Sequence, residues 1–133
     1  MVVEIQIASE GFNAHYDITE QIASVLPKFE TSEGIAKVLA VGSTVGLISM
    51  RYEEGAVEDL LAALERISPR EHDYAHYRTS NDLNGFAHVW SSIMGSSVLV
   101  PYKNSRLAVS HTHRIVLFDF DLQPAPRTIF ISN

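Results

Sequence analysis

The chain has no cysteine among its 133 residues, which excludes disulfides, thiol nucleophiles, zinc fingers and iron–sulfur clusters together. Any metal it binds must be held by nitrogen and oxygen. Positive charge is scarce: 10 Lys and Arg stand against 16 Asp and Glu, a formal net charge of -6. No basic stripe with interleaved aromatics occurs, so nucleic acid is not an expected partner. No stretch approaches the roughly 20 apolar residues needed to cross a bilayer, and the start of the chain lacks a basic leader. The expectation is a soluble, cytoplasmic protein without a membrane partner. Gly and Pro number only 7 and 5, and no repeat or low-complexity tract marks a boundary, so residues 1–133 read as one domain.

What is present is a succession of strand and helix periodicities. Val2 to Ala8 alternates and is rich in β-branched residues, which predicts a strand. Asp17-Ile18-Thr19-Glu20 resembles a capping box, and Ile18, Ile22, Val25, Leu26 and Phe29 continue it as one apolar helical stripe. Ile35 to Val41 is almost continuously apolar and predicts a strand buried on both faces. Leu47 to Tyr52 alternates instead, with Ile48, Met50 and Tyr52 on one face. Val57, Leu60, Leu61, Leu64 and Ile67 make a second amphipathic helix, closed by Ser68-Pro69.

A third helix is expected from about residue 83 to Met94, with Gly95 placed to take the left-handed conformation at its end. Strands Ser97 to Tyr102, Leu107 to Asp121 with a break near Ser110, and Thr128 to Ser132 follow. The Lys103-Asn104-Ser105 turn joins the first two as a hairpin. Strands at both ends around a helical middle predict an α+β fold with a mainly antiparallel sheet or sandwich.

The third helix carries the candidate chemistry. Phe86, Val89, Trp90 and Ile93 form its apolar face by spacing, which leaves Asn84, His88, Ser91, Ser92 and Gly95 opposite. Solvated helix faces usually carry Lys and Glu, so a small, polar, uncharged face suggests contact with something other than bulk water. Asp82 can converge with His88 only if it precedes the helix proper, and the Ser80-Asn81-Asp82 run is rich in N-cap residues. His76 would arrive from the preceding loop. Imidazole and carboxylate groups of this kind suit a divalent metal such as zinc, or a general acid/base pair with an orienting carboxylate. The plainer alternative has Asp82 capping the helix, His76 exposed and His88 hydrogen-bonded in a packed contact. No His-Glu-x-x-His motif is present.

In these residues the chain resembles the YjbQ-like family, also labelled secondary thiamine-phosphate synthases, as a divergent archaeal-type member. The likeness rests on Gly42-Ser43-Thr44, Tyr52-Glu53-x-Gly55, Tyr74-x-His76, Asp82-x-Asn84-Gly85-x-x-His88, Ser91-Ser92-Ile93-Met94-Gly95-Ser96-Ser97, Val100-Pro101, Asp119-Phe120-Asp121 and Pro126-Arg127, in shared order. The resemblance implies a sandwich of about seven strands with two to three helices, assembled as a homotrimer with polar sites near subunit boundaries. It also implies a secondary thiamine-phosphate synthase activity, joining a hydroxymethylpyrimidine diphosphate to a thiazole phosphate with loss of pyrophosphate. Carried over by position, its site would involve His76, Asp82, Asn84 and His88, with a small phosphorylated or anionic molecule as ligand.

Departures from the family pattern bear on the same site. Arg51 stands where a glutamate is usual, Phe86 where a histidine is usual, and Ser105 where the hairpin has glycine. Ser110-His111-Thr112-His113 replaces a Gly-Thr-Trp-Gln signature. His111 and His113, two apart on an expected strand, would share a face and supply imidazoles to a rearranged metal site with His76 or His88. Arg51 and Arg127 are candidate binders of phosphate or carboxylate, alongside Asn84, Ser91 and Ser92; Arg51 could equally pair with Glu53 or Asp121. Two functional readings follow: an enzyme-like site with His76, Asp82 and His88 as its reactive groups, or a catalytically decayed homotrimeric binding or structural protein.

Overall fold

A computed structural model describes residues 1–133. In chain order the elements are β1 (Val2–Ser9), β2 (Ala14–Asp17), α1 (Thr19–Ala23), β3 (Gly34–Ala40), β4 (Val45–Arg51), α2 (Glu54–Ile67), α3 (Ala75–Ser80), α4 (Gly85–Met94), β5 (Ser97–Lys103), β6 (Arg106–Leu107), β7 (His113–Asp119) and β8 (Ala125–Ser132). The strands form a five-stranded sheet, β1-β8-β3-β5-β6, and a three-stranded sheet, β2-β7-β4. Every pairing is antiparallel. The α+β sandwich expected from the sequence is therefore present, with eight strands and four α-helices.

Strand alternation explains how three layers share the smaller sheet. Side chains of successive strand residues point to opposite faces. On β7, Ile115 and Leu117 enter the core between the two sheets, while Val116, Phe118 and the following Phe120 enter a second core under α2 and α4. Phe118, Phe120 and Trp90 are fully buried. At about 1.5–3 kcal/mol for each large apolar side chain removed from water, this aromatic cluster fixes α4 against the sheet.

Several expectations are corrected. The first helical stripe does not run unbroken to Phe29: α1 stops at Ala23 and a separate 3-10 turn covers Leu26–Lys28. Pro27 lacks the N–H that a continuing helix needs. Asp17 accepts a hydrogen bond from the Thr19 N–H at 3.0 Å, but Glu20 does not close a capping box. It takes the Arg114 guanidinium instead, at 2.7 Å. Helix α3 lies in the stretch read as loop before the third helix, and Asp17, read as the start of the first helix, ends strand β2. The expected strand from Leu107 is broken more widely than foreseen, into β6 and β7.

Helix α4 is rotated relative to its apolar stripe. Phe86, Ala87, Trp90 and Ser91 are buried, whereas Val89 and Ile93 are 36% and 50% exposed. The small side, not the whole apolar side, faces the sheet. Ser91 Oγ donates to the Val45 carbonyl at 2.6 Å, and a Cβ on Gly46 would run into the Met94 side chain, so glycine there eases the close approach of α4 to β4. Strand β3 is likewise buried on one face only: Ala36, Val38 and Ala40 are inside, while Ile35 and Leu39 are 49% and 45% exposed.

Candidate functional site

The site is built from the short helix α3 and the start of α4. Tyr74, just before α3, donates its phenolic hydrogen to the Pro69 carbonyl at 2.6 Å, and its oxygen also lies 2.6 Å from Ser68 Oγ. Trp90 Nε1 donates to the Ser68 carbonyl at 2.7 Å. These bonds tie the end of α2, the entrance of α3 and the body of α4 to one point. Asn81 closes α3 in the left-handed conformation, φ 58°, a role asparagine tolerates better than most residues. Gly85 opens α4 where a Cβ would stand 2.7 Å from Tyr74 Cβ. The two helices can meet only because that position has no side chain.

At this junction His76 and His88 come together. Their Nε2 atoms are 3.2 Å apart and their rings meet edge to face, with centroids 4.5 Å apart. His76 Nε2 also lies 3.0 Å from Asn84 Oδ1 and 3.1 Å from Ser80 Oγ. His88 Nδ1 is 2.9 Å from the Ser43 carbonyl oxygen. A carbonyl only accepts, so Nδ1 of His88 carries hydrogen and Nε2 of the neutral ring is a lone pair. One hydrogen between the two Nε2 atoms then belongs to His76, whose Nε2–H is shared with Asn84 Oδ1. Both rings are half-buried and Asn84 is buried. The pair can hold one proton or one cation between two nitrogens.

Of the residues singled out in the sequence, the structure gathers His76, Asn84 and His88, and adds Ser80 and Ser43. Asp82 is not brought to them. It is exposed in the turn after α3, its N–H bonded to Ser80 Oγ at 3.1 Å, and it borders a separate depression with Arg70, His72, Tyr74 and Tyr77. The αL turn at Asn81 redirects the chain before the carboxylate can point inward. Ser91 is committed to β4, and Ser92 is exposed, its hydroxyl donating to the His88 carbonyl at 2.8 Å.

His111 and His113 do not share a strand face in this structure. Strand β7 begins at His113, and His111 lies exposed in the preceding loop. His113 Nε2 meets Ser49 Oγ at 2.9 Å, and His113 sits opposite Arg51 in the β4–β7 register. Ser43 and Ser49 are separated by six residues of mostly extended chain, about 20 Å at the usual rise per strand residue. Within one chain His113 therefore cannot reach His88. No three His, Asp or Glu side chains of the chain gather where one metal ion could be held. Arg51 is exposed and makes no ion pair with Glu53 or Asp121. Glu53 instead caps α2, accepting from the Gly55 and Ala56 N–H groups.

Arg127 forks onto Asp119, at 2.7 and 3.0 Å, and lies 3.5 Å from Asp121. Its burial favours the neutral form, but hydrogen bonding and the charge of Asp119 outweigh this and raise its pKa above the usual arginine value. A further polar pair has no signal in the sequence: His15 Nδ1 lies 2.6 Å from Tyr52 OH. Burial and the negative charge of Asp17 push the Tyr52 phenol up, so it keeps its hydrogen. Ser80 and Ser43 were also missed as site groups. The only signal for them was membership of the Ser80-Asn81-Asp82 and Gly42-Ser43-Thr44 runs.

Comparison with known proteins bears on this arrangement. The family model described as UPF0047 protein YjbQ-like matches residues 3–133. A UPF0047 protein of Archaeoglobus fulgidus is 33% identical over 112 residues, covering 84% of this chain and 82% of its own. Among solved structures, a protein of the yjbq/upf0047 family from Clostridium acetobutylicum is 25% identical with a TM-score of 0.85, covering 98% of each chain. A hypothetical protein from Aeropyrum pernix has a TM-score of 0.87 at 20% identity, over 99% of this chain and 96% of that one. The match over nearly the whole chain and the shared sandwich agree, and the chain belongs to the UPF0047/YjbQ-like family.

Proposed function

We propose that the His76–His88 pair is a divalent-metal or acid/base centre that acts on a small phosphorylated molecule near the boundary between copies of a homotrimer. The observation that supports it is the 3.2 Å separation of the two Nε2 atoms. Two imidazole nitrogens on a tetrahedral zinc, each about 2.0–2.1 Å from it, lie about 3.3 Å apart. The spacing therefore suits one cation, with Asn84 and Ser80 beside it as polar groups for a ligand. When bound, such an ion would offset the charge of a leaving or bridging phosphate.

A chain that supplies two nitrogens leaves the remaining positions to ligand or to a neighbouring copy. Support for self-association comes from the outer face of the five-stranded sheet, where Ile35, Leu39 and Leu99 are 49%, 45% and 69% exposed. The groups free to complete a neighbour's site are Arg51 and His111, with His113 beside them. Arg51, with no carboxylate on it, is the residue suited to an anionic substrate. Thiamine-phosphate formation fits this demand: a C–N bond forms to the thiazole nitrogen as the C–O bond to diphosphate breaks and pyrophosphate leaves. Arg127, held by Asp119, is the less available of the two arginines.

The test is metal analysis of protein purified without an affinity tag, coupled to a direct assay of thiamine-phosphate formation and to His76→Ala and His88→Ala variants. Stoichiometric metal lost in both variants supports the centre. Absence of metal, together with ligand binding unchanged in His88→Ala, overturns it. A second reading, a homotrimeric binding or structural protein with a decayed site, is favoured by the outward position of Asp82 and by Arg51 in place of a glutamate. Turnover abolished by His76→Ala would exclude it.

A further inference from the structure

We infer that Thr44, held by Asp121, is a positioning residue that selects which ring nitrogen of His88 carries hydrogen. The inference rests on the histidine-pair reading for its functional consequence, although the selection itself is a property of the fold.

The loop between β3 and β4 has to turn sharply at Gly42, φ 145°, and Gly42 and Ser43 are both exposed. Nothing about an exposed loop fixes the direction of a carbonyl. Thr44, however, is only 4% exposed and is held at two points. Its hydroxyl donates to Asp121 Oδ2 at 3.2 Å, and its carbonyl accepts the Phe120 N–H at 2.9 Å. The peptide joining Ser43 to Thr44 is planar, so fixing Thr44 constrains the direction of the Ser43 carbonyl. That oxygen stands 2.9 Å from His88 Nδ1.

Asp121 is itself held from behind. Its N–H donates to Asp119 Oδ1 at 3.0 Å, and Arg127 lies against both carboxylates. Asp119 is fully buried and takes a further hydrogen bond from Ser9 Oγ. The chain of contacts therefore runs from β1 and β8, through the end of β7, into the loop that touches α4. Arg127 has a role here that needs no substrate: it neutralises the carboxylates that hold Thr44.

The consequence is specific. A free histidine side chain favours hydrogen on Nε2, which would place a donor between the two rings. Hydrogen on Nδ1 leaves the His88 Nε2 lone pair facing His76, the state in which the pair can share one proton or cation.

The experiment is long-range 15N–1H NMR of the imidazole rings in the intact wild-type chain, in Thr44→Val and in Thr44→Ser, at a pH where His88 is neutral. Wild type and Thr44→Ser should show hydrogen on Nδ1 of His88, and Thr44→Val should shift most of it to Nε2. Where zinc binds the wild type, the same variant should lose about 10–100-fold in affinity, as for removal of other groups that orient a ligand. Asp121→Ala provides the same readout should Thr44→Val fail to fold. His88 keeping hydrogen on Nδ1 in Thr44→Val, or in Asp121→Ala, overturns the inference, as does hydrogen on Nε2 in wild type. A wild type that binds no zinc but holds hydrogen on Nδ1 instead sinks the metal reading and leaves this one standing.

Discussion

His76 Nε2 and His88 Nε2 face each other at 3.2 Å across the α3–α4 junction, with Asn84 Oδ1 3.0 Å from the first and the Ser43 carbonyl fixing the second through Nδ1. Two imidazoles this close, each oriented by a partner, give a directed pair of nitrogens rather than a casual contact. Removing an orienting partner from a metal-binding histidine typically costs 10–100-fold in affinity, so His76→Ala or His88→Ala should each lower Co2+ affinity by at least about tenfold. Titration followed by the visible absorption of bound cobalt checks this.

Gly85 sets the approach of the two helices. Its missing side chain leaves room for Tyr74, whose Cβ and Cγ would be 2.7 and 2.9 Å from an added methyl, and for His76, whose Cβ would be at 3.4 Å. Gly85→Ala should therefore destabilise the protein by about 1–3 kcal/mol, the usual cost of overpacking. It should also separate the histidines, read as loss of the proton-shared contact by NMR. Unchanged urea denaturation would show that α3 moves freely.

Phe86 fills a packed position on α4 that a polar ring does not suit. It is 2% exposed and packs edge to face on Trp90 and Phe12, at 5.0 and 5.8 Å. Phe86→His would place a polar ring among aromatic ones and should cost about 2 kcal/mol or more of stability. The measurement is thermal unfolding with metal uptake in parallel. A stable variant with a new metal ligand would contradict the placement described above.

Asp17 provides the pH dependence. Its partial burial raises its pKa, but hydrogen bonds from Thr19 and Arg114 outweigh this and hold the carboxyl below its ordinary 3.8. A carboxyl lowered in the folded state stabilises the fold above the unfolded value, and the contribution is lost as pH falls through the folded one. Arg114 bridges Asp17 at 2.8 Å and Glu20 at 2.7 Å. Asp17→Asn should therefore cost about 1 kcal/mol near neutral pH, the upper end for pairs of this exposure. The difference from wild type should shrink below pH 3.8, as followed by denaturation at a series of pH values.

The β5–β6 hairpin turns at Asn104 and Ser105, with φ of 53° and 56°. Both central residues of such a turn need positive φ, which asparagine tolerates and serine does not favour. Ser105→Gly relieves that strain, partly offset by the greater freedom of glycine in the unfolded chain. A net gain of up to about 1 kcal/mol is expected, read as a rise of a few degrees in Tm.

Much of the fold was legible because it rests on local periodicity. The strand alternation of Val2 to Ala8 and Leu47 to Tyr52, the α2 stripe and its Ser68-Pro69 stop all survive in the structure. Helix α3 was not legible, since Ala75–Ser80 has no buried residue and hence no apolar stripe to signal it. The rotation of α4 was hidden for a related reason. Gly46 and Ser91 let the small side of the helix approach β4 closely, which leaves Val89 and Ile93 outside although their spacing suggests a core face.

By itself, the sequence determined the class of fold, the absence of cysteine chemistry and the stretch that holds His76 and His88, because composition and spacing act along the chain. Only the tertiary structure decided which polar residues meet. An αL residue at Asn81 turns Asp82 away, the length of β4 sets Ser49, the partner of His113, about 20 Å from Ser43, the partner of His88, and an anchored loop brings the Ser43 carbonyl to a ring 45 residues later in sequence. Such encounters depend on chain direction and on close approach between elements, which no local pattern encodes.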